Sequence, residues 1–263
     1  MANKYLARED APFGESLWKL LDDRMMSTAR SRLVGRKLLD LEGPFGLGLK
    51  ALPLGDEKTE SGLIMGSVQP VPLLQERFSL WTRDLAAYES NGIFLDTQPL
   101  EQAVLALAQA EDQLIFNGIA GQAGLMTASG SGEFKLQSWE ETGMAATDVI
   151  QAVTTLDQAG FHGPYALALS PDRYNLLYRM YERGQRSELQ HIQTIATGGV
   201  MKAPAIESGG VIIAQERRSA TIVVGQDMTV GFIGPDAEQV EFFVSESLAL
   251  RLRHPASICM LKG

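Results

Sequence analysis

The sequence predicts an α+β fold, on three observations. Helical periodicities dominate the first two-thirds of the chain, period-two runs fill the last third, and the two kinds do not alternate as they would in a doubly wound sheet. At 263 residues, 45% of them hydrophobic and 21% charged, the chain is close to the globular average and can bury an ample core.

Taken in order, Glu15 to Val34 is the first helix. Leu17, Trp18, Leu21, Met25 and Thr28 or Ala29 recur at helical spacing, while Asp22, Asp23 and Arg24 lie elsewhere on its surface. Glu15 suits its first turn, Arg30 and Arg32 suit its last, and Gly35 is placed to stop it. Gly43, Pro44 and Gly46 then punctuate a turn. From Leu41 to Val71, Leu47, Leu49 and Ala51 alternate with Gly48 and Lys50. A polar tip follows, Gly55 to Gly62, and then Ile64, Gly66 and Val68. This pattern predicts a hairpin arm. Its large apolar residues are few, and an isolated two-stranded ribbon is marginal in water, so the arm needs a partner such as a neighbouring subunit.

Gln69-Pro-Val-Pro72 breaks the pattern, and Leu73 to Ala87 reads equally as strand or helix. Asp96 or Thr97 caps a long helix, Leu100 to Asn117, whose stripe is Leu100, Val104, Leu107, Glu111, Leu114 and Ile115. Gly118 to Gly132 is a glycine-rich loop. Thr147 to Gly160 is a helix carrying Val149, Ile150, Val153 and Leu156, and Tyr165 to Leu169 is a short buried strand. Ser170 as cap and Pro171 at the first position begin a helix that runs to Arg183, and Ser187 to Thr197 is weakly helical. Three short strands follow: Val211 to Ala214, Thr221 to Val224, and Thr229 to Ile233. Turns are expected at Gly225-Gln-Asp227 and Gly234-Pro-Asp236. In the long strand Glu241 to Arg253, Phe242, Val244, Leu248, Leu250 and Leu252 share one face. Ser245, Ser247, Arg251 and Arg253 share the other. Ala256 to Leu261 is a last strand.

No catalytic constellation emerges. His162, His191 and His254 have no metal-ligand spacing, and the lone Cys259 permits neither an intrachain disulfide nor a cysteine zinc site. Cys259 and His254 are an odd five positions apart on strands and point to opposite faces, which makes Cys259 a core thiol rather than a nucleophile. Gly118, Gly121 and Gly124 follow a helix, whereas a phosphate cradle leads from a strand into one, so they read as a connection. No catalytic residue, metal ligand or cofactor is therefore assigned. A formal charge of -9 argues against ordinary nucleic-acid binding, and the basic run Arg24, Arg30, Arg32, Arg36 and Lys37 reads as ion pairs or subunit contacts. No apolar stretch approaches the roughly 18 residues of a membrane helix. Met1 to Asp10 lacks a signal-peptide apolar region, and the whole fits a cytoplasmic protein.

Four blocks carry a resemblance: GRKLLDLEGPFG at Gly35 to Gly46, AEDQLIFNG at Ala110 to Gly118, GPYALALSPDRY at Gly163 to Tyr174, and VVGQDMTVGF at Val223 to Phe232. In this order, over nearly the whole chain, they resemble the family 1 encapsulins of the linocin type, shell proteins of closed icosahedral nanocompartments. The resemblance implies the tailed-phage major capsid fold. Residues 1–40 would hold the N-terminal helix and the start of a peripheral domain, 41–72 an extended loop, and 73–129 the peripheral domain with its spine helix. Residues 130–225 would form an axial domain and 226–263 further peripheral strands. It implies a homo-oligomer, the smallest T=1 shell, enclosing a cargo enzyme that docks through a C-terminal peptide. By family that cargo is a ferritin-like iron oxidase or a dye-decolourising peroxidase, serving iron storage or the response to oxidative stress. Carried onto this chain, Arg36 and Asp40 hold the peptide, being four residues apart and thus on one side in either regular conformation. Leu33, Leu39 and Phe243 supply apolar wall. Glu182, Arg183, Gly184, Gln185, Arg186 and Ser187 surround the fivefold pore. A flavin found on some relatives is not expected here, since Trp81 does not clearly match. The competing readings are a phage or prophage capsid packaging DNA, and a secreted antibacterial protein or hydrolase. The first is opposed by a helix that begins within about fifteen residues of Met1. The second is opposed by the missing triad, metal cluster and signal peptide.

Overall fold

The structure is a computed structural model and describes residues 4–182 and 184–263. Helix α1, Glu15–Arg32, buries Leu17, Leu21, Met25 and Ala29, a strict four-residue stripe. A second short helix, α2, spans Gly35–Leu38, so Gly35 opens a new turn instead of ending α1. The cause is a buried carboxylate far along the chain. Asp112 accepts from the backbone N–H of Val34 at 3.1 Å and of Gly35 at 2.8 Å, capping α2. Gly35 is required for space: a Cβ there would lie 2.5 Å from Ile115.

Strand β1, Asp40–Glu42, leads to the ribbon β2, Ala51–Lys58, and β3, Ile64–Pro70, which pair antiparallel and, among the described residues, with no other strand. The ambiguous stretch after it divides into strand β4, Leu73–Trp81, and helix α3, Thr82–Asn91. Helix α4, Gln98–Asn117, starts where the Asp96 carboxylate accepts from Gln98 N–H at 2.9 Å. The glycine-rich loop folds into a miniature hairpin, β5, Gly118–Ile119, and β6, Gln122–Ala123. Gly118 and Gly124 touch backbone to backbone there, leaving no cradle.

Strand β7, Gly132–Lys135, and helix α5, Met144–Gln158, precede strand β8, Tyr165–Leu169. Helix α6, Pro171–Leu176, is far shorter than the expected run to Arg183. Its continuation pairs backward instead: Glu188 N–H donates to Arg179 O at 2.9 Å and Leu189 N–H to Leu177 O at 2.8 Å. Helix α7, Glu188–Ile195, then begins with a capping box built from Ser187 and Gln190. The remaining strands are β9, Gly199–Lys202, β10, Gly210–Ala214, β11, Ala220–Asp236, β12, Gln239–Leu252, and β13, Ile258–Lys262.

The turns expected at Gly225–Asp227 and Gly234–Asp236 are absent, because β11 runs straight through both. Gly225 serves close packing, with a Cβ there falling 2.5 Å from the Ser247 hydroxyl. Gln226 N–H donates to that hydroxyl at 2.8 Å, and the Gln226 amide donates to Ser245 at 3.0 Å. The serine face of β12 is thus a buried, hydrogen-bonded seam and not a wetted one.

Two sheets result, ordered β1-β11-β12-β4 and β7-β13-β10-β8-β9. The chain forms two compact units. One comprises Met1–Leu33, Gly43–Glu111 and Val224–Ala249; the other comprises Val34–Glu42, Asp112–Val223 and Leu250–Gly263. In the first, α1 and α4 pack on the sheet around Leu17, Leu21, Leu100, Leu107 and Phe242, with Phe78 stacked on Phe242 at 5.3 Å. The second is built on Trp139, Leu156, Leu167, Ile212 and Leu261. This division departs from the one read in sequence, which grouped all of 226–263 with 73–129. Strand β13 pairs with β10 and β7, and so belongs with the 112–223 unit.

Buried acids hold the second unit's irregular segments. Asp148 accepts from Gln137 N–H at 2.8 Å and from the Trp139 indole at 2.7 Å. Glu188 accepts from Gly143 N–H at 2.9 Å at the start of α5, with Arg179 3.4 Å away. Glu42 closes β1 onto Arg253 at 2.7 Å and Arg251 at 3.2 Å. Burial works against the ionised Glu42, but hydrogen bonds from Arg253 and Thr221 and the two arginine charges outweigh it and lower its pKa.

Two predictions follow from these ties. Asp112→Ala strands two buried N–H groups and should cost about 2–4 kcal/mol, read as a lower denaturant midpoint at unchanged slope. Because the Glu42 pKa is lowered on folding, its contribution is present above about pH 4.5 and lost as pH falls through the folded value. The stability gap between wild type and Glu42→Gln should therefore shrink from pH 7 to pH 3 in urea titrations, and a constant gap contradicts the clasp.

Candidate functional site

A hollow of the first unit lies between α1 and the middle of β11. Ahead of α1, two short turns, Lys4–Leu6 and Arg8–Asp10, fold back along the helix. Together they border a hollow of about 660 Å³, lined by Leu6, Met25, Met26, Met228 and Thr229, with Lys4, Arg8, Glu9, Asp10, Asp22 and Asp227 at the polar positions. Met25 belongs to the buried stripe of α1, while its neighbour Met26 is exposed. Three thioethers make an apolar lining that adapts its shape, and the acidic groups around it supply hydrogen-bond acceptors. The residues that line it include no nucleophile–base pair.

The residues assigned to peptide docking from the sequence are distributed differently. Leu33 is buried within the first unit's core, and Leu39 is buried in the second unit, so neither offers open wall. Arg36 is half-buried on α2, whereas Asp40 is the exposed first residue of β1. The spacing argument for that pair assumes one regular element, and the chain changes from helix to strand between them. Asp40, with Arg217 3.9 Å away, edges a small cleft of about 170 Å³ that Leu39 and Gln215 also line. Gln215 braces this cleft by donating to Leu38 O at 3.0 Å. Phe243, on the opposite face of β12 from Phe242, lies over Gly231, where a Cβ would come within 2.1 Å of its ring.

The segment assigned to the pore is a loop closed at its base by a bridge between Met180 and Ser187. Glu182, Gly184, Gln185 and Arg186 line an open hollow with Tyr181 and His191, whose hydroxyl and ring nitrogen are 2.8 Å apart. Ser187 is not part of it, since its hydroxyl accepts from Gln190 N–H at 3.3 Å to cap α7. Arg183 lies outside the described residues.

Met26, Asp227, Met228 and Arg8 are the site residues that the sequence reading passes over. Their signal is present in part: Asp227, Met228 and Thr229 sit within the VVGQDMTVGF block, and Met25-Met26 is a doublet. Among the described residues no group of three His, Cys, Asp or Glu side chains could hold a metal ion, and no helix is long and apolar enough to cross a membrane. Burial, with Glu133 adding to it, pushes the Cys259 thiol up to about 11, as befits a core residue.

The chain matches a family model described as "encapsulating protein for peroxidase" over residues 3–249. It is 31% identical over 277 aligned positions to the type 1 encapsulin shell protein EncA of Myxococcus xanthus, covering 98% of this chain and 96% of that one. Its fold is similar to the virus-like particle from Pyrococcus furiosus, with a TM-score of 0.77 at 24% identity over 94% of this chain and 99% of that one. It is also similar to the capsid of Myoviridae phage XM1, with a TM-score of 0.59 at 13% identity over 87% and 90% of the two chains. The fold is capsid-like, and the chain belongs to the encapsulin family of shell proteins.

Proposed function

We propose that copies of this chain close into a hollow icosahedral compartment, the smallest T=1 shell, that encloses a cargo enzyme in the cytoplasm. The observation that carries this reading is the ribbon β2–β3. Among the described residues it pairs with no further strand, and Leu54, Ile64, Met65 and Val68 on it are 57–71% exposed. Covering those side chains contributes roughly 1–2 kcal/mol each, and two open ribbon edges offer backbone groups for pairing. A neighbouring copy is the partner such an arm fits, and membership in a shell family supports it.

Cargo is held by a C-terminal peptide of its own. The Met-lined hollow between α1 and β11 takes the peptide's apolar side chains, and Asp40, beside its cleft, offers a separate polar contact. The family's description supports a peroxidase as cargo; a ferritin-like iron oxidase is the alternative. The loop of Glu182, Gly184, Gln185 and Arg186 borders the fivefold opening and sets its charge. The shell itself performs no reaction: it sorts by size and keeps its contents apart.

Deleting Gly55–Gly62 should convert uniform hollow particles, seen by electron microscopy and at the void volume in gel filtration, into small subunits. Particles of unchanged size would refute the role of the arm. Nuclease-protected DNA inside the wild-type shell would favour a phage capsid instead. Co-expression with a fluorescent protein bearing a Leu/Ile/Gly-rich tail tests docking. Met26→Asp should lower the fluorescence per particle about tenfold, equivalent to about 1.4 kcal/mol, with shells intact. Asp40→Arg should lower it as well; normal loading in Asp40→Arg alone would confine docking to the hollow.

A further inference from the structure

The segment ahead of α1 is tied down by one side chain. Both terminal nitrogens of Arg8 donate to the Asp22 carboxylate, at 2.8 and 2.6 Å, and Arg8 Nε donates to Val230 O at 2.8 Å. The same guanidinium lies over the Trp18 ring, 4.6 Å from its centroid. One residue thereby joins three parts of the first unit: the leading segment, α1 through Trp18 and Asp22, and β11 through Val230. The planar fork is used fully, in the geometry that distinguishes arginine from lysine.

The backbone beside it is held out of its preferred region. Ala7 has φ 52° and ψ 24°, a left-handed conformation that a non-glycine residue keeps only where its surroundings fix it. The segment has three backbone bonds of its own among the described residues, 3.4 Å from Ala7 N–H to Lys4 O, 3.1 Å from Asp10 N–H to Ala7 O and 3.3 Å from Ala11 N–H to Arg8 O. Two isolated turns of this kind do not persist unaided. Apolar anchors flank the tie, with Leu6 buried on one side and Phe13 against Phe232 and Phe242 on the other. Leu6, Ala7, Arg8 and Glu9 of the segment line the hollow together with Met25, Met26 and Met228.

We propose that Arg8 is a lock that holds the leading segment as a wall of the Met-lined hollow, and that the hollow grips an apolar peptide only while the lock is shut. The proposal rests on the docking reading given above and deepens it. Arg8 acts as a positioning residue, for it shapes the trough and need not touch the peptide. The thioethers of the hollow adjust to side chains of differing shape, so the wall, rather than the floor, sets how firmly a peptide is held.

The test uses assembled wild-type particles and the variants Arg8→Ala, Arg8→Lys and Asp22→Asn. Hydrogen exchange reads the lock directly. The amides of Ala7, Asp10 and Ala11 should exchange at least tenfold faster in Arg8→Ala and Asp22→Asn, with Arg8→Lys intermediate, since lysine cannot serve both acceptors in the fork. Loading of a fluorescent protein with a Leu/Ile/Gly-rich tail should fall in the same order. Unchanged exchange overturns the lock whatever the loading. Faster exchange with wild-type loading overturns the wall while leaving the docking reading in place. If wild-type shells load none of the tagged protein, the docking reading fails, and exchange alone decides whether Arg8 is a lock. Should Arg8→Ala not assemble, Asp22→Asn and Arg8→Lys decide the same point.

Discussion

A two-stranded ribbon leaves both of its outer edges unpaired and cannot bury a face on itself. That constraint governs this chain. Among the described residues the strands β2 and β3 pair with each other, and Leu54, Ile64, Met65 and Val68 on them lie open. The two units carry separate cores, with buried acids that meet donors and serines in a bonded seam. The arm calls for a second molecule, and copies of the same chain supply one at no further cost in sequence.

The joint that precedes the arm is built for firmness. Asp112 reaches from α4 to cap α2, Gly35 clears space for Ile115, and Glu42 is clasped by Arg251 and Arg253. Gly43 completes the exit with φ 115°, where any Cβ would strike Val224 O at 2.4 Å. The hollow beside α1 shows the same economy: a single guanidinium fixes the segment that walls it.

The sequence discloses most of the fold where the physics is local. The stripe Leu17, Leu21, Met25 and Ala29, the strand Tyr165–Leu169 and the two faces of β12 are periodicities, and periodicity survives folding. It misleads where a distant partner decides. Gly35 reads as a helix stop because Asp112, the residue that makes it a start, is far along the chain. Gly225 reads as a turn because the hydroxyl that needs its missing side chain belongs to Ser247. The helix from Pro171 ends early because 187–189 pairs back onto it. Asp40 lies in a block that carries the resemblance, and 182–186 is singled out by the resemblance alone, whereas the Met-lined hollow depends on Arg8 meeting Asp22 and Val230, a juxtaposition that no spacing rule foretells.

The molar mass of the purified protein, by sedimentation or light scattering at ordinary salt, tests the central claim most directly. A T=1 shell of sixty chains of 28.6 kDa is a particle of about 1.7 MDa, and the account predicts a single species of that size. A stable, folded species of one subunit's mass would contradict it, for it would show that the arm needs no neighbour.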